Sequence, residues 1–510
     1  MAYQVNGARV EWNPTAARLR ELAEQMPNSQ VTEFGNVAVK ARVDSRSTRS
    51  TYLVDDATNS RGQTITREEF DRVAALQDAY IEQQHMVVVD GYIGSDPEFR
   101  TRARLIIEAA NANIAGMQQQ LYYPVDADYD AATWQPDTTV IYTPNLPAPG
   151  YPDDRLIAVD LSSNISRVLN SDYFGESKKG GLRMWNNIIH GRGGLAMHAG
   201  CKVVPLESGD VTVIIVGLSG TGKTTTTFTT QLGSKPAQDD FIALMPGGLV
   251  HTTENGCFAK TFGLDERYEP AIYRATTKPD AYLENVSVDP DGKVDFFDTS
   301  YTKNGRTTWP FAYVDPWTGP IEPASIMLIL NRNENIVPGV ARLDREQTAA
   351  YFMLGETTGT SAGGKDEEGK FLRVPGTNPF YPRDMADMGN RMLELLNSHE
   401  VQAFVLNTGR VGGGDANPDS KKVTIPISSA IVQGIVEGTI EWTEDPDFGY
   451  EVAASVPGVE DIEILQPRLL YAAQGRSDDY DAMVARLKRE RKEFLGSFPG
   501  LDDSLAKSLG

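Results

Sequence analysis

The chain has 510 residues, with 48 Lys plus Arg against 70 Asp plus Glu and a formal net charge of −22. So acidic a chain is not built for general binding to nucleic acid or an anionic membrane, although a local basic pocket for a small anion stays open. Two cysteines exclude a disulfide framework, and 40% hydrophobic residues with 46 Gly and 29 Pro exclude fibrous and disordered classes, leaving a globular chain of roughly two to four domains.

The periodicity predicts an amphipathic helix over 14–26, stopped by Pro27. Short strands follow at 37–39 and 51–54, then a helix over 67–85 with Thr66 or Thr64 as its cap. A buried strand is expected from His85 to Asp90, and an Ala- and Arg-rich helix over 98–116. Strands at 139–142 and 156–159 complete an alternation that reads as an α/β domain. A stronger apolar strand, VTVIIV at 211–216, runs into glycine-rich sequence. The chain is then strand-rich to about 345, with apolar runs at 324–330 and 336–341. Residues 355–378 mix Gly, Thr and charges without period, the pattern of a functional lid. A helix over 383–398, a strand over 401–406 and a charged helix over 473–496 end the series. No leader of basic then apolar residues opens the chain, and no run of 18 apolar residues interrupts it, so a cytoplasmic protein is expected. The domains are expected at 1–205 and 206–510.

Directly after VTVIIV stands Gly217-Leu218-Ser219-Gly220-Thr221-Gly222-Lys223-Thr224, with every position of the phosphate-loop pattern present. Such glycines let successive backbone N–H groups turn inward around a phosphate. Lys223 carries charge to the outer phosphates, and the Thr224 hydroxyl suits a divalent ion, with Thr225 beside it at the helix start. Asp239-Asp240 follows as the acidic pair that such an ion calls for, here ahead of an apolar run rather than after one.

GLSGTGKTT, with MH upstream and ENGCFAKT downstream, resembles the ATP-dependent phosphoenolpyruvate carboxykinases over roughly residues 35–480. The resemblance implies a two-domain carboxykinase-like α/β fold. Its N-terminal α/β domain would bind substrate, and its C-terminal mixed-sheet domain would hold the nucleotide on the phosphate loop. It also implies site residues. DSRSTRSTYLV at 44–54 is similar to the family's TGRSPKDKYIV and places Arg46 at the substrate arginine. DYFGESKKG at 172–180 is similar to WYGGEMKKG and supplies Tyr173, Lys178 and Lys179. Lys179, His198 of MHAGCK and Asp240 fall on the family's transition-metal ligands. Arg306 in KNGRTTWP matches the arginine that meets phosphoryl group and substrate. SKKVTIPISS at 420–429 stands where the family has its adenine-side segment, placing Lys422 and Ser428 there. Three segments depart from the family: DDFIALM replaces DDEHGW, the lid reads GETTGTSAGGK at 355–365, and the adenine-side segment has lost its arginine.

The implied reaction joins decarboxylation of oxaloacetate to phosphoryl transfer from ATP, giving phosphoenolpyruvate, ADP and carbon dioxide. Mn²⁺ on Lys179, His198 and Asp240 would serve as Lewis acid, and Mg²⁺ on Thr224 would accompany the nucleotide. Arg46 would clamp a carboxylate in two-pronged fashion, and Tyr173 would hold the other end of the substrate. A monomer without nucleic-acid or membrane partners is expected. Two alternatives stay open: a related kinase for another small carboxylate, without decarboxylation, and a catalytically silent nucleotide-binding protein.

Overall fold

A computed structural model describes residues 3–54, 63–218, 220–359 and 369–509. Ser219 and residues 360–368 of the expected lid lie outside the described residues. The chain divides into two compact units that interleave. The first takes residues 1–192, 251–316 and 380–384, and the second takes 193–250, 317–379 and 385–510. The chain leaves the first unit at Arg192, ahead of the expected 205/206 boundary, and later returns to it twice.

The first unit holds a mixed eight-stranded sheet in the order Arg9–Trp12, His85–Ile93, Thr101–Glu108, Thr138–Thr143, Ile165–Leu169, Leu156–Asp160, Thr51–Val54, Gln63–Ile65. Its helix Arg67–Ile81 starts as expected at Thr66, whose hydroxyl accepts the Glu69 N–H at 3.1 Å. The helix expected over 98–116 is corrected. Thr101–Glu108 is a strand, antiparallel to His85–Ile93 and parallel to Thr138–Thr143, and the helix begins only at Ala112. Ala and Arg favour helix locally, but here a place between two strands decides. Buried Arg104 is kept inside by Asp90, with two bonds of 2.7 and 2.8 Å.

A second sheet of this unit runs Gly256–Lys260, Arg306–Pro310, Tyr282–Glu284, Val37–Val39, Ser29–Val31. It therefore gathers strands from two distant stretches of chain, 29–39 and 256–310. The helix Phe174–Gly191, which carries Lys178 and Lys179, had no counterpart in the sequence reading. Three glycines in its first half, at 175, 180 and 181, conceal the helical period.

The second unit is built on a sheet ordered Lys235–Gln238, Ala199–Leu206, Gly209–Val216, Ala324–Asn331, Gln402–Asn407, Val340–Leu343, Glu451–Ser455, Glu441–Glu444. Gly209–Val216, Ala324–Asn331 and Gln402–Asn407 run parallel in its middle. Being covered on both faces, they read as continuous apolar runs. Ile431, Val432 and Ile435 of the helix Ile425–Glu437 pack on Val213, Ile215, Leu328 and Phe404. The described ends of the expected lid form a hairpin stem, Glu356–Thr358 with Phe371–Arg373. Buried Arg491 of the helix Ser477–Gly496 grips that stem at Glu356, with a bond of 2.6 Å. No described helix is long and apolar enough to cross a membrane.

Candidate active site

In the second unit the strand Gly209–Val216 ends where its parallel neighbours also end, the position at which open α/β sheets take ligands. The loop beyond it turns through Gly220 at φ +86° and Gly222 at φ +97°. Only glycine enters that region at low cost, so the loop's shape depends on these two residues. Its curve is fastened from both sides. Thr221 Oγ1 donates to the Leu218 carbonyl at 2.7 Å, and Thr408 Oγ1 donates to the Thr221 carbonyl at 2.6 Å. Gly222 then caps the helix Lys223–Phe228. Gly217, Leu218, Gly220, Thr221, Gly222, Lys223, Thr224 and Thr225 thus form one strand-to-helix turn.

Lys223 is buried, and its Nζ donates to Asp240 Oδ1 at 2.5 Å. The same oxygen lies 3.0 Å from His198 Nε2. The sheet explains the meeting. His198 precedes Ala199–Leu206, Asp240 follows Lys235–Gln238, and Cys201 opposite Gln238 sets the two ends side by side. His198 Nδ1 sits 2.7 Å from the Thr377 carbonyl, which can only accept. Nδ1 therefore donates there, and Nε2 is the nitrogen left to face Asp240. An imidazole nitrogen and a carboxylate oxygen at this spacing call for a shared proton or a cation. Adjacent ligands of one metal, each about 2.1 Å from it, lie about 3 Å apart, so the pair fits a metal. No three His, Cys, Asp or Glu side chains gather among the described residues, so such a metal needs a donor of another type.

Lys422 is exposed on a short hairpin, Arg410–Val411 with Lys421–Lys422. Ser428 lies in the first turn of the helix Ile425–Glu437, where its hydroxyl donates back to the Ile425 carbonyl at 3.0 Å.

The first unit brings together Tyr173 and Arg306. Tyr173 is the N-cap of the helix Phe174–Gly191, and its ring folds over Gly175, where an added Cβ would lie 2.3 Å from the ring. Arg306 opens the strand Arg306–Pro310. Asn304 serves both: its Oδ1 accepts the Arg306 Nε–H at 3.1 Å and its Nδ2 reaches the Tyr173 hydroxyl at 3.4 Å. Burial raises the Tyr173 phenol above its ordinary value, with the Arg306 charge acting in the opposite sense.

Farther along the same helix, Lys179 and Arg183 lie 4.6 and 5.6 Å from the centre of the Phe380 ring. Buried Arg183 leans on Glu176 at 3.4 Å, and Glu176 Oε1 accepts the Ser47 N–H at 2.7 Å, next to Arg46. Burial holds Arg183 below the ordinary arginine value, Glu176 opposes that, and the Arg46 charge adds to it, so these two guanidinium groups are neighbours. Lys178 pairs with buried Glu254 at 2.9 Å.

Asn304, Glu176, Arg183, Phe380 and Glu254 were not anticipated. Arg183 had a signal, since it stands four residues after Lys179 and a helix there puts both on one face. Asn304 had one too, two residues before Arg306 in KNGR. Nothing in the sequence near Phe380 points to Lys179.

Glu284 lies wholly buried against this cluster, its Oε1 accepting the Phe174 N–H at 2.8 Å. Burial pushes its carboxyl up to about 8, with the Phe174 N–H pulling the other way. An unfolded glutamate has lost its proton by pH 7, whereas this one keeps it, so Glu284 costs stability as pH rises from the unfolded value toward about 8. Glu284→Gln is expected to remove that slope. The Tm gap between variant and wild type should widen steadily from pH 5 to pH 8, and a constant gap would refute the assignment.

The sequence model of a family described as phosphoenolpyruvate carboxykinase matches residues 8–462. A protein of Methylobacterium nodulans named phosphoenolpyruvate carboxykinase (ATP) is 31% identical over 499 residues, covering 93% of this chain and 89% of its own. One of the same name from Aeropyrum pernix is 31% identical over 520 residues, covering 98% and 96%. Another from Mesorhizobium japonicum is 32% identical over 502 residues, covering 94% and 90%.

Proposed function

The chain belongs to the phosphoenolpyruvate carboxykinase family, and we infer that it converts oxaloacetate and ATP to phosphoenolpyruvate, ADP and carbon dioxide. One observation carries this reading beyond the family name. The Asp240 carboxylate joins the phosphate-loop lysine to a histidine that spends Nδ1 on a backbone carbonyl and turns Nε2 toward the carboxylate. A plain phosphate site has no use for that histidine. A site that must also accept the electrons released on decarboxylation does.

Phosphoryl transfer to an enolate oxygen is mainly an electrostatic problem. Lys223 meets the outer phosphates, which displace it from Asp240. The backbone N–H groups of the loop hold the inner ones, and the Thr224 hydroxyl takes the nucleotide's Mg²⁺. Arg306, held by Asn304, supplies charge to the moving phosphoryl group. Arg46 binds a substrate carboxylate through two N–H groups, and neighbouring Arg183 adds charge for a dianion. Tyr173 orients the substrate through its hydroxyl. His198 and Asp240 are two proposed Mn²⁺ ligands and Lys179 the third. A lysine ligates through a neutral amine, and Lys179 shares the Phe380 ring with Arg183. When bound, the metal supplies Lewis acidity toward the substrate's carbonyl oxygen. Lys422 and Ser428 are the proposed base-side residues. The reaction is proposed to run in the cytoplasm, with the chain as a monomer.

The test is a direct assay of oxaloacetate with ATP, GTP or pyrophosphate, each with Mn²⁺ or Mg²⁺, in which carbon dioxide, pyruvate and phosphoenolpyruvate are measured together. ATP is expected to give phosphoenolpyruvate and carbon dioxide in equal amounts, with Mn²⁺ the better activator because imidazole and amine donors disfavour Mg²⁺. Release of neither product with any donor would end the carboxykinase reading. Phosphate transfer to another carboxylate without carbon dioxide would favour the kinase.

A further inference from the structure

Lys202 is fully buried in the second unit, and nothing in the reaction above uses it. It sits on the strand Ala199–Leu206, where the two-residue alternation sets Gly200 and Lys202 on one side. That side meets the phosphate-loop helix. A Cβ on Gly200 would come within 2.2 Å of Thr227 Oγ1, so strand and helix touch at a glycine. Two residues on, Lys202 Nζ donates to the Thr226 carbonyl at 3.0 Å and the Thr229 carbonyl at 3.3 Å. These lie at the C-terminal end of the helix Lys223–Phe228, where carbonyls lack helical partners and the helix dipole favours a cation. The third bond of the ammonium goes to Gln231 Oε1. The other end of that amide, Nε2, donates to Ser429 Oγ at 2.9 Å. Ser429 stands next to Ser428 near the start of the helix Ile425–Glu437.

We propose that Lys202 is a positioning residue for the nucleotide, tying the exit of the phosphate-loop helix through Gln231 and Ser429 to the helix that carries the base-side residue Ser428. The inference rests on the nucleotide reading above. Its physical content is a spacing. A nucleoside triphosphate must satisfy the loop and the base side at once, so its binding depends on how firmly the two are held apart. Inorganic tripolyphosphate meets only the loop and is indifferent to that spacing.

The ammonium has three hydrogens, and its acceptors are three neutral oxygens. Of the charged side chains on the elements packed around it, Asp210, Lys223, Lys235 and Glu437, none bonds to it. Burial pushes Lys202 down to about 7. Above that pH the amine keeps two hydrogens, one acceptor loses its donor, and the tie loosens.

The experiment measures binding of ATP and of inorganic tripolyphosphate to the full-length chain by calorimetry, from pH 6 to pH 8.5. The variants are Lys202→Met, Gln231→Leu and Ser429→Ala. Lys202→Met is expected to bind ATP about tenfold more weakly at pH 6, an ordinary coupling between two sites, with tripolyphosphate unchanged within about twofold. Its KM for ATP should rise while that for oxaloacetate holds. The loss relative to wild type should shrink as pH passes 7, because wild type then gives up the same bond. Gln231→Leu and Ser429→Ala should act in the same direction more weakly, and they carry the test if Lys202→Met does not fold. Equal loss of both ligands, or unchanged ATP binding in the folded variants, would overturn the proposal. Wild type that binds neither ligand would instead overturn the nucleotide reading itself.

Discussion

Lys223→Ala is expected to lower kcat for phosphoenolpyruvate formation by about 10² or more, since one well-placed donor to a developing anion is worth several kcal/mol in the transition state. The ammonium now shares its charge with Asp240 at 2.5 Å. Triphosphate has to compete for it, so some binding energy goes into breaking that pair, and the remainder appears as transition-state stabilisation. Removing the amine leaves Asp240 still beside His198, so the fold should survive. The measurement is kcat and KM for ATP, with circular dichroism to confirm folding. Phosphoryl transfer within a factor of about three of wild type would remove Lys223 from the mechanism.

Arg306→Ala should have a comparable effect by a different route. Arg306 opens a strand whose neighbours, Gly256–Lys260 and Tyr282–Glu284, fix its backbone on both sides. Asn304 fixes its Nε, which leaves the terminal N–H groups of the guanidinium as its reach toward an anion. Such a rigid cation costs no reorganisation when charge moves onto the phosphoryl oxygens. The variant is therefore expected to form no measurable phosphoenolpyruvate. It should still release carbon dioxide slowly and give pyruvate, because Arg306 serves the phosphoryl half of the reaction. Asn304→Ala, which frees the side chain without removing it, should fall between the two. Loss of carbon dioxide release and phosphoenolpyruvate in strict parallel would instead place Arg306 in substrate binding.

The sequence alone determined what depends on neighbours in the chain. The phosphate loop was legible because its requirements are local: an apolar strand, glycines where φ is positive, then a lysine and threonine on a helix start. Family likeness added Tyr173, Lys179, His198, Asp240 and Arg306 as separate points along the chain. Only the tertiary structure decided which of them meet. Asn304 and Tyr173 are 131 residues apart, and only the folding of the first unit sets them together. His198 and Asp240 meet because of the register between two strands, which no single-strand pattern contains. Thr101–Glu108 shows the same limit: Ala and Arg read as helix, and the place between two strands made it a strand. Local propensity is worth tenths of a kcal/mol per residue, and burial between neighbours outweighs it. The tie from Lys202 through Gln231 to Ser429 was invisible for that reason, since each link pairs groups whose proximity only the folded sheet creates.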